Sequence, residues 1–235
     1  MYKTIMSLII WPIWIMYMLI SLIILFIALY IVPRRYLFYL IRIWCWGACF
    51  FAGQWLIKEG NIPDIEGEPY LYMFNHVSLF DQFMVAAFIG HYVTVVGAME
   101  QFRWPIWGTV GKKYGAIPIV RKQIKKAMNA LNAAEEAIKK GVSIMIAPEG
   151  TRTTTGKMGE FKKGPFHLAY NTEATIIPIA LIGAFDAKKK SDWRLRPGII
   201  IARFGEPILS NHYAGLNVEE IRDLVRSRIS DLIND

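Results

Sequence analysis

The sequence YLYMFNHVSLFD, residues 70–81, decides the fold class of this chain. Its first five residues form an apolar run that has the length of a buried strand. Ser78 and Asp81 then have the spacing of a helix capping box, and they lead into the apolar stretch of residues 83–89. The segment therefore predicts a buried strand that passes through a short polar loop into a helix.

Further strands and helices alternate on the C-terminal side of this segment. Compact apolar runs predict strands over residues 92–96, 116–120, 142–147, 175–182 and 199–204. Helical periodicity predicts a long helix over residues 122–140 that ends at Gly141, and a capping box of Asn217 and Glu220 starts a last helix that runs to about Ile233. This alternation predicts an α/β fold with a mixed, largely parallel sheet flanked by helices, in which ligands bind at the loops that leave the strand ends.

The N-terminal quarter of the chain has a different character. Hydrophobic residues make up 54% of the 235 residues, and the excess over a usual soluble domain lies before Leu56. Residues 4–33 carry no charge and exceed the roughly 20 apolar residues that span a bilayer. A second apolar stretch, residues 36–55, contains Arg42, and Cys45 and Cys49 within it predict buried thiols. We therefore expect membrane-anchoring helices over residues 1–57 and a globular domain over residues 58–235.

Basic residues predict how the chain is oriented. The first apolar segment is followed by four basic residues, Arg34, Arg35, Arg42 and Lys58, and is preceded by one, Lys3. Because positive flanks prefer the cytoplasm, we expect one span, an in-plane second helix and a globular domain on the cytoplasmic face of the membrane. The net charge of +8 suits membrane lipids or a phosphorylated ligand, and without a zinc-finger or RNA-binding signature we expect no nucleic-acid partner.

His76 and Asp81 form the first candidate site. They lie five residues apart, with His76 just before the predicted helix and Asp81 in its first turn. A carboxylate in this place can orient one imidazole nitrogen and leave the other free to take a proton. The alternative interpretation is a plain helix cap beside a loop histidine.

The second candidate site is PEGTR, residues 148–152, directly after a predicted strand. Gly150 permits close backbone approach to a ligand, Glu149 can accept from a hydroxyl, and Arg152 can bind phosphate in a bidentate manner. A turn with a solvated salt bridge is the alternative. Lys188, Lys189 and Lys190 are expected to face water or lipid headgroups, and residues 161–165 are expected to form a mobile flap.

Taken together, four blocks resemble the lysophosphatidic acid (1-acylglycerol-3-phosphate) acyltransferase family of the glycerolipid acyltransferase superfamily. They are NHVSLFD (residues 75–81), GAIPIVR (115–121), PEGTR (148–152) and IIPI (176–179), and the likeness covers residues 65–185. Two positions depart from the family's pattern. Val120 stands where Asp or Asn usually precedes the arginine, and Ala147 stands where Phe usually precedes the third block. Both departures leave the identity of the acceptor open.

The resemblance implies an O-acyltransferase domain over residues 58–235 that moves an acyl group from acyl-CoA or acyl carrier protein to lysophosphatidic acid, forming phosphatidic acid. It implies that His76 is the general base and that Asp81 orients it. It implies that no metal or cofactor is needed. The residues expected to bind the acceptor are Arg121, Glu149, Gly150, Thr151 and Arg152, with Lys112 and Lys113 as further candidates, and Pro178 is expected on the acyl-donor side. The oxyanion donor is expected near Gly150 or at the two lysines.

Other functions remain open at the level of the sequence. The acceptor is a different lysolipid or an aminolipid in one alternative. A membrane-tethered lipase or thioesterase is a second, although no Gly-x-Ser-x-Gly nucleophile motif occurs in the chain. A non-catalytic lipid-binding scaffold is a third.

Overall fold

A computed structural model of the protein describes residues 2–62, 68–121 and 123–235. Residues 63–67, and Lys122 of the expected long helix, lie outside these ranges. The helices are α1 (Tyr2–Ile31), α2 (Arg34–Phe50), α3 (Asp81–Phe88), α4 (Trp107–Tyr114), α5 (Ile124–Lys139), α6 (Gly164–Thr172), α7 (Ala184–Ala187), α8 (Ser210–Tyr213) and α9 (Val218–Asn234). The strands are β1 (Gln54–Glu59), β2 (Tyr70–Phe74), β3 (Val93–Ala98), β4 (Ile117–Ile119), β5 (Ser143–Ile146), β6 (Thr175–Ile182) and β7 (Gly198–Phe204).

The seven strands form one sheet in the order β1-β7-β6-β2-β5-β3-β4. Only the pairing of β6 with β7 is antiparallel among the described strands. The expected mixed, largely parallel sheet flanked by helices is therefore confirmed. Because β2, β3, β4, β5 and β6 run in the same direction, their carboxyl ends lie at one edge of the sheet, where ligands usually bind.

The central strand β2 shows how the sequence builds this sheet. All five of its residues are buried, as expected of a parallel strand covered on both faces. Alternate side chains enter opposite layers: Tyr72 and Phe74 pack in the core on the α2 and α3 side, whereas Leu71 and Met73 pack in the core formed with α5, α6 and α9. Helices on both faces thus fix β2 and the loop that follows it.

Several expected boundaries change in the structure. The last helix has its expected capping box, since Asn217 Oδ1 accepts from the Glu220 N–H and Glu220 accepts from the Asn217 N–H. Only half of the box expected at Ser78 is present: the Asp81 carboxylate accepts the Ser78 main-chain N–H, but the Ser78 hydroxyl donates to the Lys188 carbonyl, and α3 begins at Asp81. The domain boundary expected after residue 57 falls inside β1, which pairs with β7 along its whole length.

The N-terminal helix α1 is the only described helix long and apolar enough to cross a membrane. It also contacts the rest of the chain near both of its ends. The Leu195 N–H donates to Ser7 Oγ at 2.9 Å, and Lys113 Nζ lies 3.3 Å from the centre of the Tyr30 ring. A helix of 30 residues is about 45 Å long. Contacts at such separated points favour a helix that lies along the globular domain over one that leaves it to cross the bilayer.

Candidate active site

The carboxyl ends of β2, β4 and β5 meet around one cavity of about 650 Å³. His76 follows β2, Arg121 follows β4, and residues 147–152 follow β5, so each reaches the cavity from a different loop. The walls are largely apolar and come from both the sheet and α5, with Val96, Ile119 and Leu131 among them. The parallel sheet therefore brings the two sequence-predicted sites into one cavity.

The contact expected between His76 and Asp81 is present. The His76 Nδ1 and Asp81 Oδ2 atoms lie 2.7 Å apart. The Asp81 carboxylate is buried and also accepts the main-chain N–H groups of Val77 at 2.7 Å and Ser78 at 2.9 Å. With Asp81 ionised, Nδ1 carries the proton, so the lone pair of His76 is on Nε2. The side chain of His76 is 22% exposed and lines the cavity, which is the arrangement a general base needs.

Two opposing effects act on Asp81. Burial is the larger and raises the pKa of its carboxyl, because the charged form loses its hydration. The hydrogen bond from His76 and the two main-chain N–H donors act in the opposite direction, since they stabilise the carboxylate. The loop of residues 76–78 thus supplies donors to a carboxylate that the apolar surroundings would otherwise keep protonated.

Glu149 lies beside this pair, and its carboxylate accepts hydrogen bonds from the main chain. Its Oε1 atom accepts the His76 N–H at 2.8 Å, and its Oε2 atom accepts the Gly159 N–H at 2.8 Å. The side chain is nearly buried, and burial raises the pKa of the Glu149 carboxyl. This geometry favours a structural connection over the contact with a substrate hydroxyl that the sequence predicts.

Gly150 and Thr151 form the turn after β5. Gly150 has a φ of +68°, which favours glycine, and its N–H donates to the Ala147 carbonyl at 3.0 Å. The expected oxyanion donor near Gly150 is therefore not supported by this N–H. Thr151 Oγ1 accepts from Lys190 Nζ at 2.9 Å, so a residue from the β6–β7 connection reaches this turn.

Among the described residues, four cationic ones line the cavity, Arg121, Arg152, Lys162 and Lys190, and the Lys162 ammonium also lies 3.5 Å from Glu160 Oε2. Burial lowers the pKa of Arg121, Glu100 counteracts this, and the nearby positive charge of Arg152 lowers it further. Such a concentration of like charge favours an anionic ligand. The acidic side chain in the same lining, Glu149, already accepts two main-chain hydrogen bonds.

The sequence interpretation missed Lys162 and Lys190. Lys190 was expected to face water or headgroups, but the connection that follows β6 returns it to the same edge of the sheet. No local sequence pattern identifies Lys190, because its placement depends on β6 running parallel to β2. The expectation for Lys188 is wrong as well, since that residue is buried and its ammonium donates to the carbonyls of Lys189 and Asp192.

Three expected site residues do not line the cavity: Lys112, Lys113 and Pro178. The two lysines lie in the last turn of α4, which carries Lys113 to the Tyr30 ring of α1 and leaves neither lysine as an oxyanion donor in the cavity. Pro178 is buried within β6 opposite Met73. Its place in the sheet core indicates a packing role.

The expected mobile flap is also fixed in place. Phe161 is buried and stacks on Phe166 at a ring-centre distance of 6.1 Å. The Lys162 N–H donates to the Pro148 carbonyl at 2.9 Å, and α6 begins at Gly164. The segment is therefore part of the wall of the cavity.

Known proteins share both the sequence pattern and the fold. The family model described as Acyltransferase matches residues 56–182. A 1-acyl-sn-glycerol-3-phosphate acyltransferase of Cocos nucifera is 28% identical over 76% of this chain and 59% of its own length. One from Pseudomonas aeruginosa is 28% identical over 84% of this chain and 77% of its own. The chain spans about half the length of several other curated relatives, from Brassica and Limnanthes.

The crystal structure of the 1-acyl-sn-glycerophosphate (LPA) acyltransferase PlsC from Thermotoga maritima superposes with a TM-score of 0.85 at 21% identity. The superposition covers 97% of this chain and 95% of that one, and it shows the same fold. The family model covers more than half of the chain and includes His76, Asp81 and residues 148–152. On this evidence the chain belongs to the acyltransferase family.

Proposed function

We propose that this protein transfers a fatty acyl group from a thioester donor to the free hydroxyl of lysophosphatidic acid, forming phosphatidic acid for phospholipid synthesis. One observation carries the proposal: His76, oriented by Asp81, lines the same cavity as four cationic residues in the described part of the chain. A base that can take a hydroxyl proton thus lies beside a site suited to phosphate. The relatives named above act on 1-acyl-sn-glycerol-3-phosphate according to their names, which supports the same acceptor here.

The acceptor's phosphate binds first in this scheme. Arg121 and Arg152 present guanidinium groups, which can each bind phosphate oxygens in a bidentate manner. Lys190 adds a third positive charge next to Thr151. Binding the phosphate there brings the glycerol hydroxyl toward His76, since all of these side chains line one cavity.

The chemical step is a direct transfer. His76 Nε2 removes the hydroxyl proton while the hydroxyl oxygen attacks the thioester carbonyl carbon. The carbon–sulfur bond then breaks, and the leaving thiolate takes the proton from the imidazolium. Asp81 stabilises that imidazolium through the 2.7 Å contact at Nδ1. The products are the diacyl lipid and a free thiol, which is coenzyme A or acyl carrier protein according to the donor.

We further propose that the protein is bound to the membrane with its catalytic domain on the cytoplasmic face. The outer side of α1 carries exposed apolar side chains such as Leu8, Ile20 and Ile27, which suit lipid. The net charge of +8 suits the anionic lipids of a cytoplasmic leaflet.

The purified protein in detergent micelles tests the proposed reaction. Labelled acyl-CoA and a panel of lysolipids and aminolipids are supplied, and product mass is read by mass spectrometry. We expect phosphatidic acid from lysophosphatidic acid, and we expect His76→Ala to lose at least about a hundredfold in kcat. His212→Ala, an exposed histidine on α8, is the matched control and should retain activity. Release of free fatty acid alone would indicate a hydrolase instead, and transfer to another lipid would correct the acceptor.

A further inference from the structure

Glu149 joins two loops that the fold brings together from distant parts of the sequence. Its two carboxylate oxygens accept the main-chain N–H groups of His76 and Gly159, each at 2.8 Å. His76 lies in the loop after β2, and Gly159 lies in the connection between β5 and α6. A carboxylate held by two main-chain donors fixes the separation of those two backbones.

Gly159 lies so close to this carboxylate that a side chain at this position would not fit. A Cβ atom added at residue 159 would lie 2.7 Å from Glu149 Oε2, which is closer than real Cβ atoms approach such an oxygen. Any side chain at this position would therefore displace either the carboxylate or the loop. The close approach depends on the absence of a side chain at Gly159.

Arg226 of α9 holds the same loop from the other side. Its guanidinium donates to the carbonyl of Gly159 and, at 3.3 Å, to the carbonyl of Met158. It also lies 5.2 Å from the centre of the buried Phe161 ring. Gly159 is thus bound through its N–H to Glu149 and through its carbonyl to the C-terminal helix.

We infer that Glu149, Gly159 and Arg226 form a positioning strut that holds the backbone of His76 in register with the cation site. The inference rests on the proposed function for its kinetic consequence. His76 is also bonded directly to the segment that carries Arg152. Its carbonyl accepts the N–H of Thr153 at 2.8 Å, and Thr153 is the residue after Arg152. The backbone of His76 is therefore tied on one side to the strut and on the other to the chain that carries the phosphate-binding arginine.

The strut predicts a specific kinetic signature. Removing it should leave the phosphate ligands in place while the imidazole loses its alignment with the hydroxyl. A misplaced base lowers kcat, whereas a lost ligand raises KM. Glu149 and Arg226 are then positioning residues.

Three variants and one control test this signature in the detergent assay, with rates expressed per folded protein. Glu149→Gln removes an acceptor without changing shape, Arg226→Met removes the guanidinium, and Arg226→Lys keeps the charge. Arg222→Met, on the same helix and paired with Asp223, is the control. We expect kcat to fall at least about tenfold in the Gln and Met variants, with the acceptor KM within about twofold of wild type, and to recover partly in the Lys variant.

The double variant Glu149→Gln/Arg226→Met should be no slower than the slower single variant, because residues in one connected unit lose their effect together. If KM rises while kcat is retained, Glu149 binds the substrate and the inference is wrong. It is equally wrong if Arg226→Met keeps kcat within about twofold of wild type.

Hydrogen exchange gives a second measurement that needs no turnover. Peptides that cover residues 74–81 and 157–163 should exchange faster in Arg226→Met than in Arg222→Met, because the Gly159 carbonyl loses its guanidinium donor and the loop that holds Glu149 in place becomes more mobile. Unchanged exchange overturns the strut whatever reaction the protein catalyses. Faster exchange in a protein that transfers no acyl group would support the strut and refute the proposed function.

Discussion

Replacing Asp81 with asparagine isolates the contribution of one negative charge to the proposed reaction. The exchange keeps the size and planarity of the side chain. It removes the charge that lies 2.7 Å from His76 Nδ1. At an effective dielectric constant of about 20, two unit charges at that distance attract by about 6 kcal/mol.

This energy is an upper bound for the variant. The imidazolium charge is spread over the ring, and the side chain of His76 is 22% exposed to solvent. Taking about half leaves ~3 kcal/mol, which corresponds to a loss on the order of a hundredfold in kcat. The loss grows if the new amide NH₂ turns toward Nδ1, because His76 then adopts the tautomer with its proton on Nε2.

The assay is steady-state transfer from labelled acyl-CoA to lysophosphatidic acid in micelles, with kcat and KM measured separately. The matched control is Asp223→Asn, an acid-to-amide change on the exposed side of α9. We expect the acceptor KM to stay near the wild-type value, because Asp81 is buried behind His76 and does not line the cavity. A kcat for Asp81→Asn within about threefold of wild type would refute the role of the carboxylate.

Two further predictions concern the cation site and the buried carboxyl of Glu149. Lys190→Ala should raise the KM for lysophosphatidic acid about three- to tenfold with little change in kcat. The control is Lys189→Ala, which should change neither constant, because the Lys189 ammonium lies over Phe185 outside the cavity. Equal effects of the two variants would contradict the assignment of Lys190 to the phosphate site. Because burial raises the pKa of Glu149, the folded protein binds the proton of this carboxyl more tightly than the unfolded chain does. The stability of the fold therefore decreases as pH rises from about 4.5 to the raised pKa. The thermal stability deficit of Glu149→Gln should therefore shrink as pH rises through that window, and a deficit that grows with pH would show that the pKa is lowered instead.

The fold was largely predictable because its signals are local. The five residues of β2 and residues 176–182 of β6 are each uninterrupted apolar runs, and both strands appear where the sequence predicts them. The capping box at Asn217 is a local pattern as well. β1 was missed because QWLIKE follows the apolar N-terminal region without a break, and only its pairing with β7 distinguishes it as a strand.

The site was predictable where neighbouring residues make the contact. His76 and Asp81 are five residues apart, so one strand-to-helix turn decides their geometry. Glu149 lies 73 residues from the His76 N–H that it accepts, and Lys190 lies 39 residues from Thr151. These contacts depend on how three loops pack at one edge of the sheet, and no pattern of spacing along the chain encodes that.

The cavity keeps its positive charge because its neighbouring acidic side chains bind the main chain. Asp81 and Glu149 are both buried, and both accept main-chain hydrogen bonds from the loop of His76. Neither carboxylate forms an ion pair with Arg121 or Arg152 in the described residues, so the positive charge of the two arginines stays available for an incoming phosphate. The same two acids fix the imidazole and its backbone. In the proposed reaction, a lysolipid whose phosphate binds the arginines therefore meets a base already held in place, and the binding energy of the phosphate can be used to align the hydroxyl with that base.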